Sequence, residues 1–162
     1  MGNGTRVFRD LALEEVERLA HVLAPLCRRG EVLALQGELG AGKTVFARAF
    51  LRTLAGDPGL EVPSPTFTLA QRYPVKDPYP PVWHVDLYRL TDESELRELG
   101  LEDAIAEGIM LIEWPDKAAG LLPTTTLTVA FRPGASKTTR TLSLSGPKNW
   151  AERLRKINLV RR

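Results

Sequence analysis

Eight consecutive residues, Gly37-Glu38-Leu39-Gly40-Ala41-Gly42-Lys43-Thr44, meet the pattern G-x-x-x-x-G-K-[ST] in full. Each fixed position has a chemical reason. Glycines let the backbone curl until its N–H groups face phosphate oxygens, and a following helix adds the positive end of its dipole. Lys43 then reaches the β- and γ-phosphates as a compact charge, while the Thr44 hydroxyl ligates Mg²⁺. The segment therefore predicts a site for ATP and Mg²⁺, with Glu38, Leu39, Gly40, Ala41, Gly42, Lys43 and Thr44 around the phosphates. An Asn-Lys-x-Asp segment that would read guanine is absent, which favours ATP over GTP. A plain glycine turn before a helix carries little weight beside the complete pattern.

Mg²⁺ also needs carboxylate help, usually from the carboxyl end of a neighbouring strand. Two acids qualify. Asp86 follows Val82-Trp83-His84-Val85, and Glu113 follows the wholly apolar Ile109-Met110-Leu111-Ile112. The residues alone leave open which acid touches the ion and which orients water. Ser64-Pro65-Thr66-Phe67-Thr68 lies where a switch segment offers a hydroxyl to the γ-phosphate or its metal, although Ser-Pro-Thr by itself is usually a turn. His84 reads as a satisfied core residue and His21 as exposed, so neither receives a metal or nucleophilic role. Trp83 and Trp150 read as core. Trp114, beside Glu113, packs near the nucleotide in this reading.

These residues need a scaffold of strand, glycine loop and helix. Glu31 to Gln36 reads as a buried strand and Val45 to Leu54 as the helix behind the loop. Upstream, Thr5 to Phe8 is a short strand and Asp10 a candidate cap for a helix whose apolar positions run from Val16 to Cys27, with Gly30 as its stop. Gly56, Pro58, Gly59, Pro63 and Pro65 break any regular element. Thr66 to Tyr73 and Val82 to Asp86 then read as strands, Glu93 to Leu99 and Glu102 to Glu107 as short helices, and Ile109 to Ile112 as a strand. Thr126 to Phe131 and Thr139 to Leu144 alternate as a hairpin around Pro133-Gly134, and a last amphipathic helix carries Trp150, Leu154 and Ile157 on one side. The order predicts an α/β fold: a P-loop NTPase-like three-layer domain with a mixed, largely parallel central sheet and a C-terminal antiparallel hairpin. Residues 1–147 form the ATPase domain, and 148–162 a basic C-terminal helix or tail packed on it.

Composition narrows the class. The 162 residues suffice for one sizeable core, with 43% apolar and 26% charged residues. No apolar run approaches a membrane span and no secretory stretch opens the chain, so a cytoplasmic protein is expected. The lone Cys27 excludes an internal disulfide and reads as core. Net charge is only +2, yet six basic residues and one acid lie between Lys148 and Arg162. That tail is a candidate contact for RNA or an acidic partner, with a solvated final helix the favoured reading.

Together, the glycine segment, Ser64-Pro65-Thr66-Phe67-Thr68, His84-Val85-Asp86-Leu87-Tyr88-Arg89 and Ile112-Glu113-Trp114-Pro115 resemble the bacterial TsaE family, also called YjeE, in order and spacing over roughly residues 5–145. The resemblance implies a small Mg-dependent ATPase, weak alone, that joins the TsaB and TsaD proteins. There it supports transfer of a threonylcarbamoyl group to an adenosine beside the tRNA anticodon, touching tRNA indirectly at most. By position it gives Lys43 and Thr44 to phosphate and Mg²⁺, makes Asp86 the Walker B-like acid and Glu113 a metal-linked acid, assigns Thr66 a switch role, and sets Trp114 close to the nucleotide. The chain departs from the pattern at Val16, where a Thr is expected, and after Lys148. Two rivals share the phosphate site: a small-molecule kinase, with Arg132 and Arg140 as lid candidates, and a nucleotide sensor without turnover.

Overall fold

The computed structural model describes residues 4–65 and 68–159. In chain order the elements are β1 (Gly4–Leu11), α1 (Leu13–Leu23), β2 (Val32–Gln36), α2 (Lys43–Ala55), β3 (Ala70–Tyr73) and β4 (Val82–Asp86). After these come α3 (Glu93–Glu98), α4 (Leu101–Glu107), β5 (Ile109–Glu113), β6 (Leu127–Pro133), β7 (Arg140–Gly146) and α5 (Lys148–Arg155). The strands make one mixed sheet in the order β1-β7-β6-β2-β5-β4-β3. Its middle, β6-β2-β5-β4, is parallel; β7 and β1 extend it antiparallel on one side, and β3 on the other.

Parallel strands joined through helices are covered on both faces, which explains the unbroken apolar runs in β2 and β5. The pleat sends Leu33, Leu35, Ile109 and Leu111 into a core under α1, α2 and α5, and Val32, Ala34, Met110 and Ile112 into a second core under α3 and α4. The fold is thus the mixed α/β arrangement expected, with β6 and β7 as the antiparallel hairpin and helices on both faces. No helix among the described residues is long and apolar enough to cross a membrane.

Three local expectations fail, and one element appears that the sequence did not announce. The first helix ends at Leu23 rather than near Gly30, because Pro25 lacks an N–H and starts a 3-10 turn over Ala24–Leu26. Cys27 is nevertheless buried in the first core, and burial pushes its thiol far up. Asp10 does not cap that helix. Ala12 holds the cap position with its N–H donating to Glu15 Oε1 at 3.0 Å, while Asp10, at φ 55°, accepts from the Ala135 N–H at 2.6 Å. The third strand begins only at Ala70. A 3-10 stretch over Pro115–Leu121, following Trp114, was not expected at all.

The last helix also differs from a purely solvated one. Trp150, Leu154 and Ile157 enter the first core, as does Val16 of α1. Arg153 turns inward as well, forming a double hydrogen bond to Glu31 at 2.9 and 2.6 Å and stacking 3.6 Å from the Trp150 ring centroid. One of the six basic residues of this region is therefore committed inside the protein.

Candidate functional site

The glycine segment joins the end of β2 to the start of α2, so its position is fixed by the centre of the sheet. Gly42 precedes the helix at φ 105°, a left-handed conformation that costs a side-chain-bearing residue. Gly37 lies so close to β6 that an added Cβ would stand 3.0 Å from Phe131 Cβ. Phe131 packs edge-on to Phe46 of α2 at 5.7 Å, giving the loop an aromatic floor. From β7, Arg140 Nη2 donates to Gly40 O at 3.2 Å. The two lid candidates of the kinase reading, Arg132 and Arg140, therefore sit in paired strands, one of them bonded to the loop.

Lys43 opens α2 and is 5% exposed. Its Nζ donates to Gly37 O at 2.6 Å and lies 4.0 Å from the centroid of Trp114. Burial pulls the Lys43 ammonium below the ordinary lysine range, opposed by the carboxylates of Glu113, Asp86, Glu38 and Asp116. The sheet sets where two of those acids stand. Asp86 ends β4, Glu113 ends β5, and they are direct register partners; Glu113 also pairs with Leu35 at the end of β2. Backbone bonds from Asp86 N to Leu69 O (2.8 Å) and from Leu87 N to Glu113 O (3.2 Å) tie down the end of β4, and Asp86 Oδ1 accepts from Tyr88 N at 2.9 Å.

Leu39, Gly40, Gly42, Lys43, Thr44, Asp86, Glu113 and Trp114 line one cleft of ≈ 370 Å³, together with Val45, Ser64, Tyr88 and Arg89. Glu38 lines a smaller hollow beside it with Trp114 and Asp116, and Ala41, in the loop itself, is buried. Thr66 and Phe67 lie outside the described residues. Trp114 reaches over Lys43 because its backbone adopts φ 58°, and Tyr88 packs on its ring at 5.0 Å. A wider hollow between α1 and α2, containing His21 and Thr53, holds none of the expected site residues.

Sequence reasoning missed several contributors. His84 is buried, as expected, but its Nε2 lies 2.8 Å from Glu113 Oε2, so it belongs to the site's surroundings rather than to an unrelated part of the core. The signal was present: residues two apart on a strand share a face, and His84 precedes Asp86 by two. Lys117 donates to Tyr88 O at 2.7 Å and Leu90 O at 3.1 Å, fastening the segment after β4 to the 3-10 stretch after β5. That contact joins segments far apart in sequence, and no local pattern announces it.

Comparison with known proteins gives this geometry a family. The threonylcarbamoyl adenosine biosynthesis protein TsaE family matches residues 11–142. The tRNA threonylcarbamoyladenosine biosynthesis protein TsaE of Rickettsia bellii is 39% identical over 74% of this chain and 81% of its own length. The protein of the same name from Bacillus subtilis is 37% identical over 77% and 76%. The crystal structure of Bacillus subtilis YdiB superposes with a TM-score of 0.75 at 27% identity, covering 96% of this chain and 95% of that one. The matched segment spans the glycine loop and the two strand-end acids, and the chain belongs to the TsaE family of tRNA threonylcarbamoyladenosine biosynthesis.

Proposed function

We propose that this protein binds ATP with Mg²⁺ in the cleft at the ends of β2, β4 and β5, and hydrolyses it in support of tRNA threonylcarbamoyladenosine formation by TsaB and TsaD. The observation that carries this reading is the convergence of Lys43, Thr44, Asp86 and Glu113 on one cleft from three separate segments. The donor set suits a hard cation: one hydroxyl and two carboxylates supply oxygen, and Mg²⁺ takes its remaining ligands from water and phosphate. Thr44 and one or both acids would hold the ion, which supplies neutralisation of charge on the transferring phosphoryl group. Among the described residues no group of three or more His, Cys, Asp or Glu forms a separate metal centre.

In this reading the backbone N–H groups of residues 38–44 cradle the phosphates, and Lys43 exchanges its contact with Gly37 O for phosphate oxygen. Asp86 and Glu113 divide the tasks of linking to the metal and orienting the attacking water. Trp114 and Tyr88 form an aromatic wall against which the nucleotide packs. The arginines that would serve a kinase lid, Arg132 and Arg140, are held in the sheet. A cytoplasmic role beside partner proteins belongs to the same reading.

The test is phosphate release at saturating ATP, with purified TsaB and TsaD added stepwise, alongside the yield of modified tRNA over many turnovers. Slow hydrolysis alone and faster hydrolysis with the pair are expected. Equal rates, with tRNA modification unchanged when the protein is left out, would overturn the assignment. A phosphorylated small-molecule product would point to the kinase, and binding without turnover to the sensor.

A further inference from the structure

His84 has no part in the proposed chemistry, yet it stands directly behind it. The pleat of β4 turns its ring to the same side of the sheet as Asp86 and Glu113, where it is fully buried. A carboxylate only accepts, so the 2.8 Å contact with Glu113 Oε2 puts the proton on His84 Nε2. The other ring nitrogen, Nδ1, is buried without a hydrogen-bond partner among the described residues. A residue present only to fill the core would carry no such unpaired atom, because an aliphatic side chain fills space without one. Among the described residues the ring's one polar contact is thus the one with Glu113. That contact takes Oε2, and Glu113's carboxylate makes no second hydrogen bond among the described residues.

We propose that His84 is the positioning residue for Glu113: by donating from Nε2 it fixes one carboxylate oxygen and so presents the other to the cleft. The inference rests on the reading of that cleft as a Mg²⁺–nucleotide site. It places His84 in the class of outer partners whose loss lowers metal affinity about ten- to hundredfold while leaving the ligands themselves in place.

Glutamine and asparagine at this position separate the role from mere burial. Both are polar and neutral, but the Gln amide reaches as far as Nε2 and the Asn amide stops near Nδ1. A non-hydrolysable ATP analogue is titrated calorimetrically, with Mg²⁺ and with EDTA, into the parent, His84→Gln, His84→Asn, Glu113→Gln and the double variant His84→Asn/Glu113→Gln. All should bind alike in EDTA. With Mg²⁺, His84→Asn should be weaker by about tenfold or more, His84→Gln close to the parent, and the double variant no weaker than Glu113→Gln alone. If His84→Asn does not fold, His84→Gln still decides: near-parental Mg²⁺-dependent affinity supports the role, and its loss in a folded protein overturns it. Equal affinities for His84→Asn and the parent, or the same factor lost in the Glu113→Gln background, also overturn it. A parent that binds the analogue equally with and without Mg²⁺ overturns the reading of the cleft itself, and this inference with it.

Discussion

The Lys43 ammonium lies 4.0 Å from the centre of the Trp114 ring, joining the first residue of α2 to the residue after β5. The contact brings together the charge proposed for phosphate and the aromatic wall proposed for the nucleotide. Lys43→Ala should therefore abolish most ATP binding while the fold persists, since the side chain's hydrogen bond is to its own loop. Calorimetric titration beside a circular dichroism spectrum checks this. Unchanged affinity in a folded variant would remove Lys43 from its role.

The unusual backbone of Trp114 separates stability from binding. At φ 58° glycine is favoured over any residue with a Cβ. Trp114→Gly should accordingly be more stable than Trp114→Ala by about 1 kcal/mol, although both lose the aromatic contact and should bind ATP several times more weakly. Thermal unfolding of the two variants provides the comparison. Alanine proving the more stable would show that the turn relaxes.

Asp86→Asn and Glu113→Gln should each lower turnover more than ground-state nucleotide affinity, because on the proposed reading each carboxylate acts most strongly on the transition state, beyond any share in holding Mg²⁺. The relevant measurement is the rate of phosphate release in the presence of TsaB and TsaD, set against the affinity for ATP. Parental rates in both variants would dismiss the two-carboxylate reading.

Only the ammonium form of Lys43 attracts phosphate, and burial holds its pKa below the ordinary lysine value. ATP affinity should therefore fall as pH rises through that lowered value, earlier than for an exposed lysine. Nucleotide binding in this window should take up a proton, since bound phosphate favours the charged form. Glu113 opposes the depression, so Glu113→Gln should move the fall to still lower pH. Calorimetry in buffers of different ionisation enthalpy measures the proton uptake, and a flat alkaline profile would contradict the assignment.

Far from the cleft, Arg153 and Glu31 form a buried ion pair that ties α5 to the start of β2. Arg153→Ala would leave Glu31 buried with its opposite charge removed, which costs about 3–5 kcal/mol. Replacing both residues by apolar side chains of similar volume should recover much of that loss. Urea denaturation of the single and double variants tests the coupling.

The features legible in the sequence were those written in local periodicity. The runs of β2, β4 and β5 fix a parallel centre, and the glycine pattern fixes a loop at the end of one of them. Asp86 and Glu113 were legible because each closes such a run. Which strands adjoin was not legible, because the pairing of β4 with β5 across 22 intervening residues is decided by packing of α3 and α4 rather than by any adjacent residues. The same reason hid the His84–Glu113 contact and the inward turn of Arg153, whose partner Glu31 lies 122 positions away. Asp10 misled because a carboxylate that can cap a helix can equally accept from a distant backbone N–H, and only the tertiary partner Ala135 distinguishes the two.

The register that sets Asp86 opposite Glu113 has a consequence for how this chain tolerates change in length. Side chains alternate across a strand with a period of two, so removing a single residue inside β4 or β5 would swing the acid at its end to the opposite face, under α3 and α4. No substitution elsewhere compensates for such a reversal. Insertions between Pro74 and Pro80, upstream of the Pro81 carbonyl that accepts from the Ile109 N–H of β5, carry no such penalty. Length variants of this protein that keep the two acids in one cleft should therefore differ in their loops, while the two strands behave as a ruler of fixed graduation.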